Sequence, residues 1–371
     1  LKNMASIMSS KNRVATSKRI TPTVTISDNS SEMFAVRWSP DGNYIAAGAG
    51  DGNICVFAAD TGTVAYELQQ GSAAALPATS LRFRPSNDTT RTKNVLVSTN
   101  AVGAIQHWHV TSGKCLHTIE EKDNQVFALD YQRDGLVFAT AGKEPVIRLY
   151  DEATKAETCL MKGTAGYSST QSSGHSNRIF SLKFSPDDDH ILASGGWDNT
   201  VHFWDTRSGQ SIRSIYGPHL CGDGLDMCSN GTASTTVLTG SWRPQSPLEM
   251  WDFGTGKIIE QVEWKDSILG SSPCMLYAAQ FSKADGGRFI AAGGSGTNEA
   301  RVFDRFGDHN DRDGLTALVG TVTGMERGVF SLDWSPVGDK LAVGTGDGSI
   351  RIMSVVDRNG DMSLHDVRSE G

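Results

Sequence analysis

The sequence predicts an all-β fold of seven similar sheets, each with four antiparallel strands, stacked side by side in a ring. Three observations lead there. Short runs of alternating apolar and polar residues recur along the chain, separated by turns rich in Gly, Pro and Asp. Seven segments align on one pattern of three such runs, and a fourth run often follows a Thr-Gly or Ser-Gly turn. Forty glycines in 371 residues, with no Gly-X-Y period, supply many turns and exclude a collagen.

The fullest copy is Gly174–Asp205, GHSNRIFSLKFSPDDDHILASGGWDNTVHFWD. The aligned copies begin at Met33, Ala78, Gln125, Ile179, Asp223, Leu276 and Val329. The first run ends near a Ser-Pro-Asp-Gly turn, where Pro and Gly each favour a reversal. The second ends at a Gly/Asp turn such as GDG or WDN. The third ends at Trp-Asp, Phe-Asp, Tyr-Asp or a relic of it. Fourth runs are TVAYEL, KCLHTI, SIRSI and KIIEQV. Counted between Trp38, Phe83, Tyr131, Phe184, Met227, Phe281 and Trp334, the copies recur every 43 to 54 residues. Four strands at that spacing describe a propeller blade rather than a sandwich. One such sheet cannot bury both faces, whereas neighbours in a ring can.

These residues resemble the WD40-repeat family over nearly the whole chain after about residue 20. The resemblance implies a seven-bladed β-propeller of four-stranded antiparallel blades. It also implies a hydrogen-bonded tetrad in the fullest copy, His175, Ser194, Asp198 and Trp204, with a structural role. Buried polar groups between sheets need partners, and Asp198 would fix the imidazole that anchors the Ser194 hydroxyl. Copy five keeps His219, Thr239 and Trp251, with Arg243 or Pro244 where the Asp is expected. The other copies lack the histidine.

The last copy has no obvious fourth run after MSVV. Thr21–Asp28, TPTVTISD, reads as that strand, so the chain's first and last parts would share one blade and leave no open edge. The alternative donor is MSLHDV. The domain division is then a basic tail at 1–20, a propeller at 21–356 and a C-terminal tail at 357–371. The first segment is rich in Ser, Lys and Arg without an acid, and reads as a solvated tail rather than a transit peptide.

A net charge of −8 and a pI of about 5.6 disfavour a nucleic-acid-binding body. No apolar run approaches the length of a spanning helix, and the N-terminus lacks a secretory apolar core. Six cysteines without a C-x-x-C read as reduced thiols in a cytosolic compartment.

No catalytic, cofactor or metal constellation is predicted. His107 and His109 share a strand face, but no further ligands fall at a metal-binding spacing, so packing is the better reading. GAGDG (Gly48–Gly52), GGSG (Gly293–Gly296) and GTGDG (Gly344–Gly348) fall at blade turns and precede no helix, which argues against nucleotide binding. DHNDRDG (Asp308–Gly314) and DRNGD (Asp357–Asp361) lack the closing Glu of a calcium loop.

What remains is surface. Four residues before each first-run aromatic position stand Phe34, Thr79, Phe127, Phe180, Asp223, Tyr277 and Phe330. In the family this position lies near the mouth of the central channel. Before the turn Asp, Trp197 and Trp242 stand where other copies carry Gly50 or Gly346. These aromatics, rimmed by Arg178, Arg243 and Asp223, form a candidate partner-binding face. The W-D-x-R ending, with Asp205 and Arg207, resembles the box by which some WD40 proteins dock on the adaptor of cullin-RING ubiquitin ligases.

The expected function is a non-catalytic scaffold or adaptor for peptide or protein partners, working as a monomer within a larger complex in the cytoplasm, without nucleic acid or membrane. The alternatives are a ligase substrate receptor and a structural component of a cytoskeletal or ciliary assembly. The latter would use the inserts Ser86–Lys93, Lys162–Gly174 and Arg305–Leu315.

Overall fold

The computed structural model describes residues 16–27, 31–68, 76–86, 94–163, 174–229, 235–264, 272–307 and 316–358. Seven antiparallel sheets of four strands form seven blades. Their innermost strands are Met33–Trp38, Ala78–Phe83, Val126–Tyr131, Ile179–Phe184, Leu225–Ser229, Met275–Phe281 and Val329–Trp334, defining blades 1 to 7. Each inner strand touches that of the next blade, and blade 7 touches blade 1, so the ring is closed.

Local chemistry makes each hairpin. After the inner strand, an aspartate caps the turn: the Asn43 N–H donates to Asp41 Oδ1 at 3.0 Å, and Leu136 N–H to Asp134 at 2.8 Å. Gly42 takes the left-handed conformation that turn needs, at φ 74°. The Asp ending the third strand has a similar task. Asp151 and Asp252 each accept the N–H of a threonine three residues on, at 2.7 Å, folding the Thr-containing turn into the outer strand.

Seven apolar clusters lie between the blades, one at each interface. Small residues let the sheets approach. A Cβ on Gly48 would lie 2.8 Å from the Ala78 Cβ of the next blade, and one on Gly344 2.6 Å from Val36. These contacts bury both faces of every sheet, the requirement no blade meets alone.

The outer strand of blade 7 is the segment Lys18–Ile26, antiparallel to Ile350–Asp357. It starts three residues before the expected Thr21. Lys18, Arg19 and Ile20 continue the ladder opposite Asp357, Val356 and Val355, and Ile20 packs on the core between blades 6 and 7. The tail therefore ends before residue 18, and the last strand runs through Asp357. MSLHDV, the calcium-like loop Asp308–Gly314, the second such loop beyond Arg358, and most of the three inserts lie outside the described residues. Among the described residues no helix is long and apolar enough to cross a membrane, and none of the six cysteines pairs with another.

Candidate functional site

The ring has an entry face, where the inner strands begin, and an exit face, where they end. His175, before the inner strand of blade 4, lies on the entry side. Its Nδ1 is 2.7 Å from Asp198 Oδ2 and its Nε2 is 2.7 Å from Ser194 Oγ, which accepts the Trp204 indole N–H at 2.8 Å. Ionised Asp198 only accepts, so Nδ1 carries the proton, Nε2 accepts from the serine, and the donors run one way from Trp204 to Asp198. Burial would raise the Asp198 pKa, but hydrogen bonds from His175, Thr200 and the Ser176 N–H hold it down at about 2. Ser-His-Asp geometry invites comparison with a hydrolase triad. Ser194, however, is 0% exposed and its oxygen is occupied by Trp204, so no acyl substrate reaches it. His202 brings a third ligand atom within 4.8 Å of those of His175 and Asp198, but both nitrogens of His175 are already engaged in the chain.

Blade 5 keeps only half of this chain. Trp251 donates to Thr239 at 2.9 Å, whereas His219 turns to Asn199 at 2.8 Å and stacks against Trp197 of blade 4. Its inclusion in the blade 5 tetrad is thus corrected, because buried Leu220 fills the space against blade 4. Blade 3 builds its own version with a carboxylate. Buried Glu121 accepts from Thr140 and Tyr150, and contacts Arg148 at 3.3 Å. Spacing could have found it, since Glu121 precedes the inner strand much as His175 does.

His107 is packed as expected. It contacts Glu152 at 3.1 Å, beside Tyr131, Arg84 and Lys155. Burial lowers its pKa. Burial would raise that of Glu152, but His107 and Lys155 hold it at about 2. His109 bonds Ser112 at 2.6 Å.

The channel is lined by the residue before the final position of each aligned first run: Arg37, Arg82, Asp130, Lys183, Asp226, Gln280 and Asp333. Three of these aspartates brace neighbours. Asp130 accepts the Phe184 N–H, Asp226 the Phe281 N–H and Asp333 the Trp38 N–H, at 2.7–2.8 Å, each tying one blade to the next. Each also meets a cation: Arg82 at 3.1 Å, Lys183 at 2.9 Å and Lys283 at 2.7 Å. Asp223 of blade 5 reaches Arg37 of blade 1 and Arg82 of blade 2, so its carboxylate bridges blades across the channel. The dipeptides RW, RF, DY, KF, DM, QF and DW carry this ring in the sequence; Asp223, expected at the rim, reaches it from the aromatic position of blade 5. At the exit mouth a cavity of about 350 Å³ is lined by Asp130, Lys183, Asp226 and Lys283. Lys183 and Lys283 there are already paired with Asp226 and Asp333, and exposed Arg133 completes the lining.

The entry mouth carries the aromatics. Phe34 stacks on Phe330 at 5.4 Å, and Tyr277 meets Phe330 edge-on at 5.3 Å. On the other side Phe127 stacks on Phe180 at 4.8 Å, and Phe180 lies 5.0 Å from Trp197. Most of these bulky residues sit in β-bulges, which tip them out of the ladder toward the rim. Gly50 and Gly346 make room: a Cβ there would meet Phe34 at 3.1 Å and Phe330 at 2.8 Å. The two arcs part at Thr79 and Asp223. Trp197 donates its indole N–H to Cys221 at 3.0 Å, and the Arg178 guanidinium lies 5.1 Å over its ring. Trp242 is 37% exposed, as is Phe34. Arg243 is not a free rim cation: it pairs with Glu249 at 2.5 Å and donates to the Ser246 and Gly217 carbonyls.

On the exit face Arg207 chelates Asp205 through two contacts of 3.0 Å and is 65% exposed. Hydrogen bonds from Arg207 hold the Asp205 carboxyl at about 2.

A family model for the WD domain, G-beta repeat (WD40), matches residues 20–57, 113–151, 167–205 and 316–353. The chain is a WD40-repeat protein. Three of these matches start on the outer strand of one blade and finish on the third strand of the next, which is how this WD40 propeller shares a blade between its ends. Curated relatives include WD repeat-containing protein slp1 of Schizosaccharomyces pombe, 23% identical over 77% of this chain and 52% of its own length. APC/C activator protein CDC20 of Saccharomyces cerevisiae is 23% identical over 62% of this chain and 36% of its own. Target of rapamycin complex subunit wat1 of S. pombe is 30% identical over 50% of this chain and 55% of its own. The matched regions thus span about half, or less, of these relatives.

Proposed function

We propose that this WD40 protein is a non-catalytic scaffold or adaptor that holds a peptide or protein partner on its entry face. The observation that carries this reading is the partly exposed aromatic rim, with Trp242, Trp197 and Phe34, around a channel crossed by its own ion pairs. Charged groups of the channel already pair with one another, so binding energy is available at the rim, where aromatic anchors dominate recognition. The relatives' names support it, since two describe an activator and a subunit of named complexes. The buried Ser194 argues against hydrolysis. The test is affinity capture with the native chain and a Trp197→Ala/Trp242→Ala variant. Captured partners should weaken by at least about 2 kcal/mol, and a loss below about 0.5 kcal/mol places the site elsewhere.

A second reading rests on the exposed Arg207–Asp205 pair, presented on the opposite face. There it would dock the chain on a ubiquitin-ligase adaptor as a substrate receptor. Arg207→Ala should then abolish adaptor capture and leave entry-face binding intact.

A further inference from the structure

We infer that the entry face reads an acidic side chain, with Arg178 as the receptor for an Asp or Glu carboxylate of the bound segment. This rests on the adaptor reading above and adds the chemistry of the partner.

Arg178 lies with its guanidinium on the Trp197 ring, and among the described residues no hydrogen bond or ion pair engages that guanidinium. Its neighbours differ. Arg37 and Arg82 hold Asp223, Arg243 holds Glu249, and Arg327 holds Glu32 at 2.8 Å. The platform beneath Arg178 is itself pinned. Cys221 takes the indole N–H, Phe180 packs on the ring and His219 lies parallel to it at 6.5 Å. A guanidinium stacked on an aromatic face keeps its in-plane N–H donors directed outward, the geometry that grips a carboxylate with two bonds.

The local charge sets the ligand. Burial lowers the His219 pKa, so that ring adds no second cation at neutral pH. One unengaged guanidinium matches one carboxylate, whereas a doubly charged phosphate calls for more. The chain as a whole carries −8, so long-range attraction does not draw an acidic partner in, and selection falls to this contact. Trp242, whose backbone N–H bonds the His219 carbonyl at 2.8 Å, and the Phe127–Phe180 stack flank it as apolar anchors. The fitting occupant is an extended segment with an acidic residue beside apolar ones.

The test selects random linear peptides on the full chain and on R178E, R178K and the W197A/W242A double variant, after their melting curves are matched. Peptides captured by the native chain and lost on the double variant should be enriched in Asp or Glu next to an apolar residue. R178K should weaken that enrichment without reversing it, since an ammonium keeps the charge but not the two-bond grip, and R178E should replace it with Lys or Arg. In one such peptide, Glu→Gln should weaken native binding about tenfold and leave R178E binding unimproved by the acid. Equal acidic enrichment on R178E overturns the inference. Peptides that depend on the two tryptophans but show no acidic bias overturn it and leave the adaptor reading standing. Absence of any peptide that depends on them overturns both.

Discussion

The Asp223 carboxylate of blade 5 meets the Arg82 guanidinium of blade 2 at 3.2 Å, three blades away around the ring and across the channel. Other blades place an aromatic or Thr79 at the Asp223 position. Here Gly222 and Gly224 bring the backbone close: a Cβ on either would lie 2.6 Å from the Tyr277 oxygen or 2.4 Å from the Gly240 oxygen. The carboxylate then points inward and draws in Arg37 as well.

Asp223→Asn should destabilise the fold by about 3–5 kcal/mol, because it leaves two buried arginines facing each other. Burial would raise the Asp223 pKa, but Arg82 and Arg37 lower it from 3.8 to about 2. Its contribution is therefore whole above about pH 4 and is lost as pH falls toward 2. Urea midpoints at neutral pH and at pH near 3 check both statements, and a native midpoint in the variant counts against the cross-channel brace.

His175→Ala should cost about 1–3 kcal/mol by leaving Ser194 and Asp198 without their shared partner. Chemical denaturation measures it, and an unchanged transition would show the chain to be dispensable.

His202 makes stability depend on pH in a milder range. Burial and the neighbouring His175 lower its pKa from 6.5 to about 4. The unfolded chain takes up a proton in that interval that the folded chain does not. The stability tied to His202 is whole above pH 6.5 and is lost as pH falls toward 4, on the order of 3 kcal/mol in all. His202→Gln, the residue blade 2 carries as Gln106 in the same register, should flatten the stability profile over that window. A profile as steep as the native one would exclude His202 as its source.

Removal of residues 16–26 should cause aggregation. It opens Ile350–Asp357 as an unpaired edge and strips Ile20 and Ile26 from two cores. Light scattering and melting of the shortened chain test this, and a monomer with native stability would contradict it.

Much of the fold was legible because hairpins are written locally. The run MFAVRW, its turn around Gly42 and the returning YIAAGA pair within a few residues of each other, so spacing suffices to place them. The tetrad of blade 4 was legible for a related reason: His175, Ser194, Asp198 and Trp204 all belong to one repeat unit. Contacts between blades were less so. Phe34 and Phe330 stand nearly the whole chain apart, and His219, placed by alignment in blade 5, serves Trp197 of blade 4 instead. Glu121 takes over a histidine's position with different chemistry, which an alignment on residue type passes over.

The number of sheets, their strand order and the turns between them can be read from the residues alone, because strand pairing joins neighbours along the chain and alternation marks the buried face of each strand. The folded ring settles which charges meet in the channel, which arginines are already engaged, and that Arg178 on Trp197 has no side-chain partner among the described residues. Those facts depend on how seven wedges converge on an axis, and residues brought together by that convergence have no fixed separation in the chain.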